Sequence, residues 1–185
     1  MIFVKIHIRL FLVVGFTGLF SSCQSVQAIK RLEVNYSVVV DDAKKSSQAP
    51  YKPKADNLPD ELKKFNYDDY HKLQFIEDQT LWRKEGLAFQ TQFFHPGYLF
   101  CEPVEIHEFT DTHTQRIPYV SSFFDFQDFP HLPEKLSSDM NYAGFRTLYR
   151  LHPETQRYDE LISFLGASYF RALGSDMHYG LSARG

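Results

Sequence analysis

Apolar and polar residues alternate in step through much of the chain after Leu87. Phe89, Thr91 and Phe93 alternate with Gln90, Gln92 and Phe94. Val104 and Ile106 alternate with Glu105 and His107, and Phe145, Thr147, Tyr149 and Leu151 with Arg146, Leu148 and Arg150. A period of two sends successive side chains to opposite faces, so these runs predict antiparallel strands with one packed face. Leu161 to Leu165, Ser168 to Leu173 and Tyr179 to Ala183 continue the series, separated by Gly166-Ala167 and Gly174-Ser175-Asp176, which reads as strand, turn, strand, turn, strand. Within the second of these, Tyr169, Arg171 and Leu173 share one face and Ser168, Phe170 and Ala172 the other. His95-Pro96-Gly97 and Asp111-Thr112-His113 read as turns. Phe123 to Asp139, rich in aromatics, prolines and acids, reads as a long excursion.

Helical signals are confined to the region before the strands. Asn57 is a candidate cap, followed by Pro59, Asp60 and Glu61 in a first turn where acids suit the dipole. Leu62 and Phe65 are spaced to cover one face. Asp68-Asp69-Tyr70 opens a second short helix or turn leading to Leu73 and Phe75; adjacent acids diverge by about 100° on a helix and suit capping or solvent better than shared chemistry. Residues 29–56 read as an extended leader or linker, because Pro50 and Pro53 oppose a regular helix, with Val38-Val39-Val40 as a short edge strand. Residues 1–28 read as a signal peptide: Lys5 and Arg9 precede an apolar run from Leu10 to Phe20, too short to span a bilayer comfortably. Val26-Gln27-Ala28 offers a cleavage site with a mature start at Ile29. Phe20-Ser21-Ser22-Cys23 offers a lipoprotein alternative, anchored through Cys23.

Composition narrows the function classes. With 43% hydrophobic and 16% aromatic residues in 185, the chain can bury a sizeable core as one domain or part of one. A net charge of −3 supplies no broad basic field, which argues against nucleic acid as a partner and leaves a neutral ligand easier to reconcile. Removal of Cys23 leaves Cys101 alone, so no internal disulfide is expected, and no local His or Asn pattern marks Cys101 as a nucleophile. The eight histidines are scattered, without His-Glu-x-x-His or Cys-x-x-Cys spacing, so neither a metal centre nor a cofactor is predicted. Glu102, Glu105 and Glu108 fall three apart, on opposite sides of a strand. Asp125 and Asp128 sit in a predicted loop, and Ser168 and Ser182 lack a nucleophile elbow. The residues yield no catalytic dyad.

The richest stretch for binding is 161–185. Gly166, Ala167, Gly174, Gly180 and Gly185 interleave with Tyr169, Phe170, Arg171, Tyr179 and Arg184, placing rings and guanidiniums on a backbone that can be approached closely. Sugars present flat C–H faces to aromatic rings and hydroxyl edges to forked donors, so the mixture suits a polyol; the plainer alternative is an ordinary sheet surface. Tyr169 and Arg171 should act together, whereas Tyr179 and Arg184, five apart, point oppositely on a regular strand.

FLGASYFRALG followed by YGLSARG resembles the signature of the periplasmic glucan biosynthesis family, proteins G and D, which act on osmoregulated periplasmic glucans of Gram-negative bacteria. NLPDELKKFNYDDYHKLQF, LWRKEGLAFQTQFFHPGYLFCEPVEIHEF and AGFRTLYRL resemble the same family in the same order, over residues 57–185. The resemblance implies a mainly β fold, an antiparallel β-sandwich of the galactose-mutarotase-like supersandwich type, with short N-terminal helices and with 57–185 as an incomplete N-terminal part. It further implies a periplasmic protein that binds or processes a β-glucan with a β-1,2-linked backbone, in association with inner-membrane glucan synthase machinery. Members similar to protein D hydrolyse such glucans by inversion, which needs an acid and a base set apart for water. Their essential aspartates correspond to positions beyond 185. No catalytic residue is therefore expected in this chain, which reads as a truncated copy or fragment without hydrolase activity of its own. Tyr169, Arg171, Tyr179 and Arg184 are the expected substrate-binding residues. The leader gives the first test: the intact mass of exported protein should correspond to a start at Ile29, and a cytoplasmic chain retaining Met1 would overturn it.

Overall fold

The computed structural model describes residues 36–51, 57–110, 114–166, 168–177 and 183–184. The expected signal peptide at 1–28 with its candidate anchor Cys23, the turn at 111–113 and Tyr179 lie outside them. Among the described residues the order is α1 (Tyr36–Ser47), α2 (Asp60–Lys63), α3 (Tyr67–Lys72), β1 (Gln90–Phe94), β2 (His107–Phe109), β3 (Thr114–Arg116), β4 (Gly144–Tyr149), β5 (Asp159–Leu165), β6 (Tyr169–Ala172) and β7 (Ala183–Arg184), with three short 3-10 turns. The class is mainly antiparallel β with few short helices, as the alternation predicts.

The chain divides into two compact units, one of them holding residues up to Tyr51 together with His107–Ile117. In that unit β2 and β3 form an antiparallel hairpin, Glu108 opposite Gln115. The expected edge strand at Val38–Val40 is instead part of the helix α1. Pro50 falls after the last turn, so it ends the helix without interrupting it, and Lys44 and Lys45 sit in that last turn where cations suit the dipole.

The second unit, Lys52–Ile106 and Pro118–Gly185, carries a five-stranded sheet in the order β1-β4-β5-β6-β7, antiparallel throughout. Two small helices precede it. Pro59, not Asn57, occupies the cap position of α2, whereas Asn66 caps α3 by accepting the Asp69 amide at 2.9 Å. Leu62 is fully buried, and Phe65 and Leu73 join it in the core. The Leu62 carbonyl accepts the Tyr98 amide at 2.9 Å, and the Tyr70 hydroxyl donates to the His95 carbonyl at 2.7 Å, so both helices are tied to the turn after β1. Gly97 has φ +150° and packs against Leu62, a position at which a side chain would be strained.

Between β1 and β4 the excursion foreseen at Phe123 to Asp139 returns rings to the core. Phe93 stacks on Tyr142 at 4.3 Å, and Phe124 meets Phe75 edge-on at 5.5 Å. The Tyr142 hydroxyl donates to the Pro118 carbonyl at 3.0 Å and accepts the Val120 amide at 3.1 Å, fixing the end of the excursion. Burial raises that phenol to about 12. At the start of β4, Gly144 lies against β5 so closely that an added Cβ would stand 2.1 Å from the Phe164 carbonyl oxygen.

His95 sits at the centre of this aromatic shell, 2% exposed, edge-on to Tyr119, Phe124 and Phe126. A carbonyl can only accept, so Nδ1–H donates to Pro96 O at 2.6 Å and Nε2 accepts the Tyr119 hydroxyl at 2.8 Å. That ring is neutral. Burial lowers its pKa from the ordinary 6.5 to about 4, and pushes the Tyr119 phenol well above its usual range. Below 6.5 the unfolded imidazole takes up a proton that the folded one refuses, so stability is full above 6.5 and drains away as pH falls toward 4. Urea unfolding across that window should show a loss of about 3 kcal/mol. The same loss in His95→Gln would assign the effect to other groups.

Candidate polar groove

The antiparallel registers bring four residues that are far apart in the chain into one row. Gln92 on β1 is opposite Arg146 on β4, Arg146 opposite Ser163 on β5, and Ser163 opposite Arg171 on β6. Directly paired residues project from the same face of a sheet, so the row lies on one side. A register shift between Thr147 and Leu148 then sets Glu160, not Leu161, opposite Leu148. Such a bulge re-aims a side chain, and here it delivers a carboxylate to the Arg146 side of the sheet.

Hydrogen bonds tie the row together. Gln92 Oε1 accepts from Arg146 Nε at 2.9 Å and Nη2 at 2.7 Å, while Gln92 Nε2 donates to Thr80 Oγ1 at 2.9 Å. Glu160, whose side chain is only 10% exposed, receives Arg171 Nε at 2.8 Å and Nη2 at 2.7 Å on one oxygen, and faces Arg146 Nη1 at 3.6 Å with the other. One carboxylate thus holds two guanidiniums in fixed orientation. Ser163 lies in the same row, 2% exposed, and its hydroxyl has no hydrogen-bond partner among the described residues.

Above part of this row runs an open groove of about 780 Å³ whose lining includes Gln90, Gln92, Arg146, Glu160 and, at its rim, Arg83 and Arg150. The rim loop has an unusual backbone: Trp82 stands at φ +67°, a conformation costly for a bulky residue, and Gly86 shares that angle. The turn closes with Leu87 N–H donating to Trp82 O at 3.2 Å and presents Arg83, whose guanidinium binds Glu77 at 2.7 Å. Also in the lining, the Arg150 guanidinium lies 4.9 Å over the Tyr158 ring. The opposite face of the sheet is aromatic: Phe93, Phe145, Phe164 and Phe170 occupy one row, with Phe145 and Phe164 stacked at 5.2 Å.

The four residues expected from the sequence fare differently. Tyr169 and Arg171 do share a face of β6 and are half-buried, while Phe170 on the other face is 42% exposed. Arg171 reaches the groove through Glu160. Tyr169 lies one row further from it, opposite Leu165 and Arg184. Arg184 is placed at that register position in β7, and Tyr179 falls outside the described residues. Alternation had already set Gln90 with Gln92, and Arg146 with Arg150, on common faces. Nothing local says that β1 pairs with β4, whose partners Gln92 and Arg146 are 54 positions apart. The bulge that turns Glu160 inward has no local signature either. Among the described residues, no cluster of three or more His, Cys, Asp or Glu side chains is placed to hold a metal.

Residues 34–185 match the model of the family described as periplasmic glucan biosynthesis protein, MdoG. The chain belongs to that family. It is 37% identical over 161 residues to glucans biosynthesis protein G of Pectobacterium atrosepticum, covering 87% of this chain and 30% of the relative. To the protein G of Rhodopseudomonas palustris it is 42% identical over 146 residues, covering 77% and 28%, and to that of Pseudomonas putida 39% over 151 residues, covering 82% and 26%. The chain thus spans less than a third of the length of these curated relatives. Every residue of the polar row falls inside the matched region.

Proposed function

We propose that these residues form one wall of a glucan-binding site, and that the groove over Gln92, Arg146 and Glu160 is where hydroxyl edges of a β-1,2-linked chain are held. The observation that supports this is the pre-oriented row itself: amide, guanidinium and carboxylate groups fixed by mutual hydrogen bonds across three strands, beside an open groove large enough for several atoms of a sugar ring. Fixed donors and acceptors lose little freedom on meeting a polyol, which is what a site for an uncharged, water-loving ligand requires. Tyr169 would extend the surface by stacking, and Arg171 acts by holding Glu160.

A binding role fits the groove better than a hydrolytic one. Glu77 and Glu160 are the carboxylates among its lining, and both already engage guanidiniums, Glu77 with Arg83 and Glu160 with Arg146 and Arg171. Inversion needs one carboxyl group free to protonate a leaving oxygen and another to activate water. The wall therefore positions glucan in periplasmic glucan assembly or trimming, with the chemistry supplied from outside these residues, and an export-linked synthase at the inner membrane is the partner from which it would receive the chain.

Calorimetric titration of a β-1,2-glucan oligosaccharide into the whole chain tests this. Arg146→Ala should weaken binding about tenfold, since it removes a charge-assisted donor. Tyr169→Ala should weaken it several-fold, a stacked ring being worth about 1 kcal/mol. Unchanged affinity in both, with a large loss of thermal stability, would return these residues to a purely structural role.

A further inference from the structure

The turn just after β1 breaks the usual local rule for its shape. Gly97 and Phe100 exchange both backbone hydrogen bonds, at 3.1 and 2.8 Å, so Tyr98 and Leu99 are the two central residues of a tight hairpin turn. Such positions favour Gly, Asn or Asp. Here they hold two bulky residues, Tyr98 at φ +54° and Leu99 74% exposed. A left-handed tyrosine costs free energy that glycine would avoid, and an exposed leucine gains none from burial. The conformation is nevertheless held at both backbone groups of Tyr98: its N–H donates to Leu62 O at 2.9 Å, and its carbonyl accepts the Cys101 thiol at 2.9 Å.

From the core to this tip the rings follow one another. Phe100 lies 5.6 Å from Tyr70, Tyr70 6.0 Å from Tyr98 and Tyr98 6.5 Å from Tyr67, which stacks at 5.7 Å on His71, one turn further along α3. The Tyr70 hydroxyl on the His95 carbonyl fixes the inner end, while at the outer end Tyr67 is 62% exposed and His71 is exposed as well. Tyr67, His71, Tyr98 and Leu99 all lie outside the lining of the groove. The charges beside them balance: Lys63, Lys64 and Lys72 match Asp60, Asp68 and Asp69 in number, with Lys63 on Asp60 at 3.1 Å and Lys72 on Asp69 at 3.8 Å, and Glu61 is held by Lys135 at 3.0 Å. An ionic partner therefore meets no net field. Four side chains are also a small area, when a stable protein interface takes about 20 to 30 residues a side. A pyranose needs less, because its weakly positive C–H face lies on the negative face of one or two rings while its hydroxyls reach phenol oxygens at the edge. We infer that Tyr67, His71, Tyr98 and Leu99 form a second sugar-contact surface, separate from the groove, that stacks against pyranose faces of a neutral glucan. It rests on membership in a family described by glucan biosynthesis and is independent of the groove reading.

Affinity electrophoresis of the whole chain through gels containing linear, unsubstituted β-1,2-glucan tests it. Tyr67→Ala should weaken binding several-fold, as the loss of one stacked ring implies, Leu99→Ser should weaken it by a smaller factor, and Tyr67→Phe, which keeps the ring, should bind like the parent. Tyr67 and Leu99 are exposed, so all three variants should melt like the parent protein. Full retardation of Tyr67→Ala overturns the inference, and if Arg146→Ala is less retarded in the same gels the groove reading stands without it. A loss in Tyr67→Ala with Arg146→Ala unaffected supports the inference and removes the groove reading. A parent chain that the glucan does not retard overturns both. Loss of binding in Tyr67→Ala only in step with a lowered melting temperature, while Leu99→Ser binds like the parent, would make the rings structural and overturn it as well. So would sedimentation of the parent as a concentration-dependent dimer that Leu99→Ser abolishes, because the surface would then belong to a second copy of the chain.

Discussion

Two backbones touch at Gly144. The carbonyl oxygen of Phe164 occupies the space in which any other residue would place its Cβ, and hydrogen bonds flank the contact: Ala143 N–H to Phe94 O on the β1 side and Gly166 N–H to Ala143 O on the β5 side, both at 2.8 Å. This close passage pins β4 between β1 and β5 in a single register. A slip of one residue would send Arg146 to the aromatic face and a phenylalanine to the polar one. The row from Gln92 to Arg171, the bulge that brings in Glu160 and the groove above them all follow from that register.

The sheet so aligned separates two chemistries. Along one side rings accumulate, and with them the buried imidazole of His95, which the surroundings keep uncharged. Along the other, guanidiniums, amides and a shielded carboxylate satisfy one another, so that polar groups that would be costly if left alone become a firm surface. Ser163 is the exception, a buried hydroxyl beside two arginine positions in a row that is otherwise bonded.

Strands with strict alternation were legible from the residues themselves. The runs around Phe93, Phe145 and Phe164 sit close to where their period put them, and the face shared by Tyr169 and Arg171 is real. What failed was decided by context. Val38 to Val40 favour a strand by their branching, yet they are embedded in a run of helix-tolerant residues and the chain winds through them as α1. Asn57 has the chemistry of a cap, but Pro59 has the backbone angle, φ −54°, from which α2 begins. The candidate site was half visible: Arg171 could be chosen from its neighbourhood, whereas Gln92, Arg146 and Glu160 become a group only through pairing between distant strands and one irregular step.

That distance has a kinetic side. β4, β5 and β6 follow one another through short connections and form a meander whose contacts close small loops, while β1 must find β4 across the whole excursion that carries Tyr119, Phe124 and Tyr142. Closing the longer loop costs more chain entropy before any contact compensates for it. On that ground the meander is expected to form first and β1 to seat later. Gln92 belongs to β1, so the groove is finished only at that last step, and a transient lifting of β1 would dismantle the polar row while leaving the hairpins behind it intact.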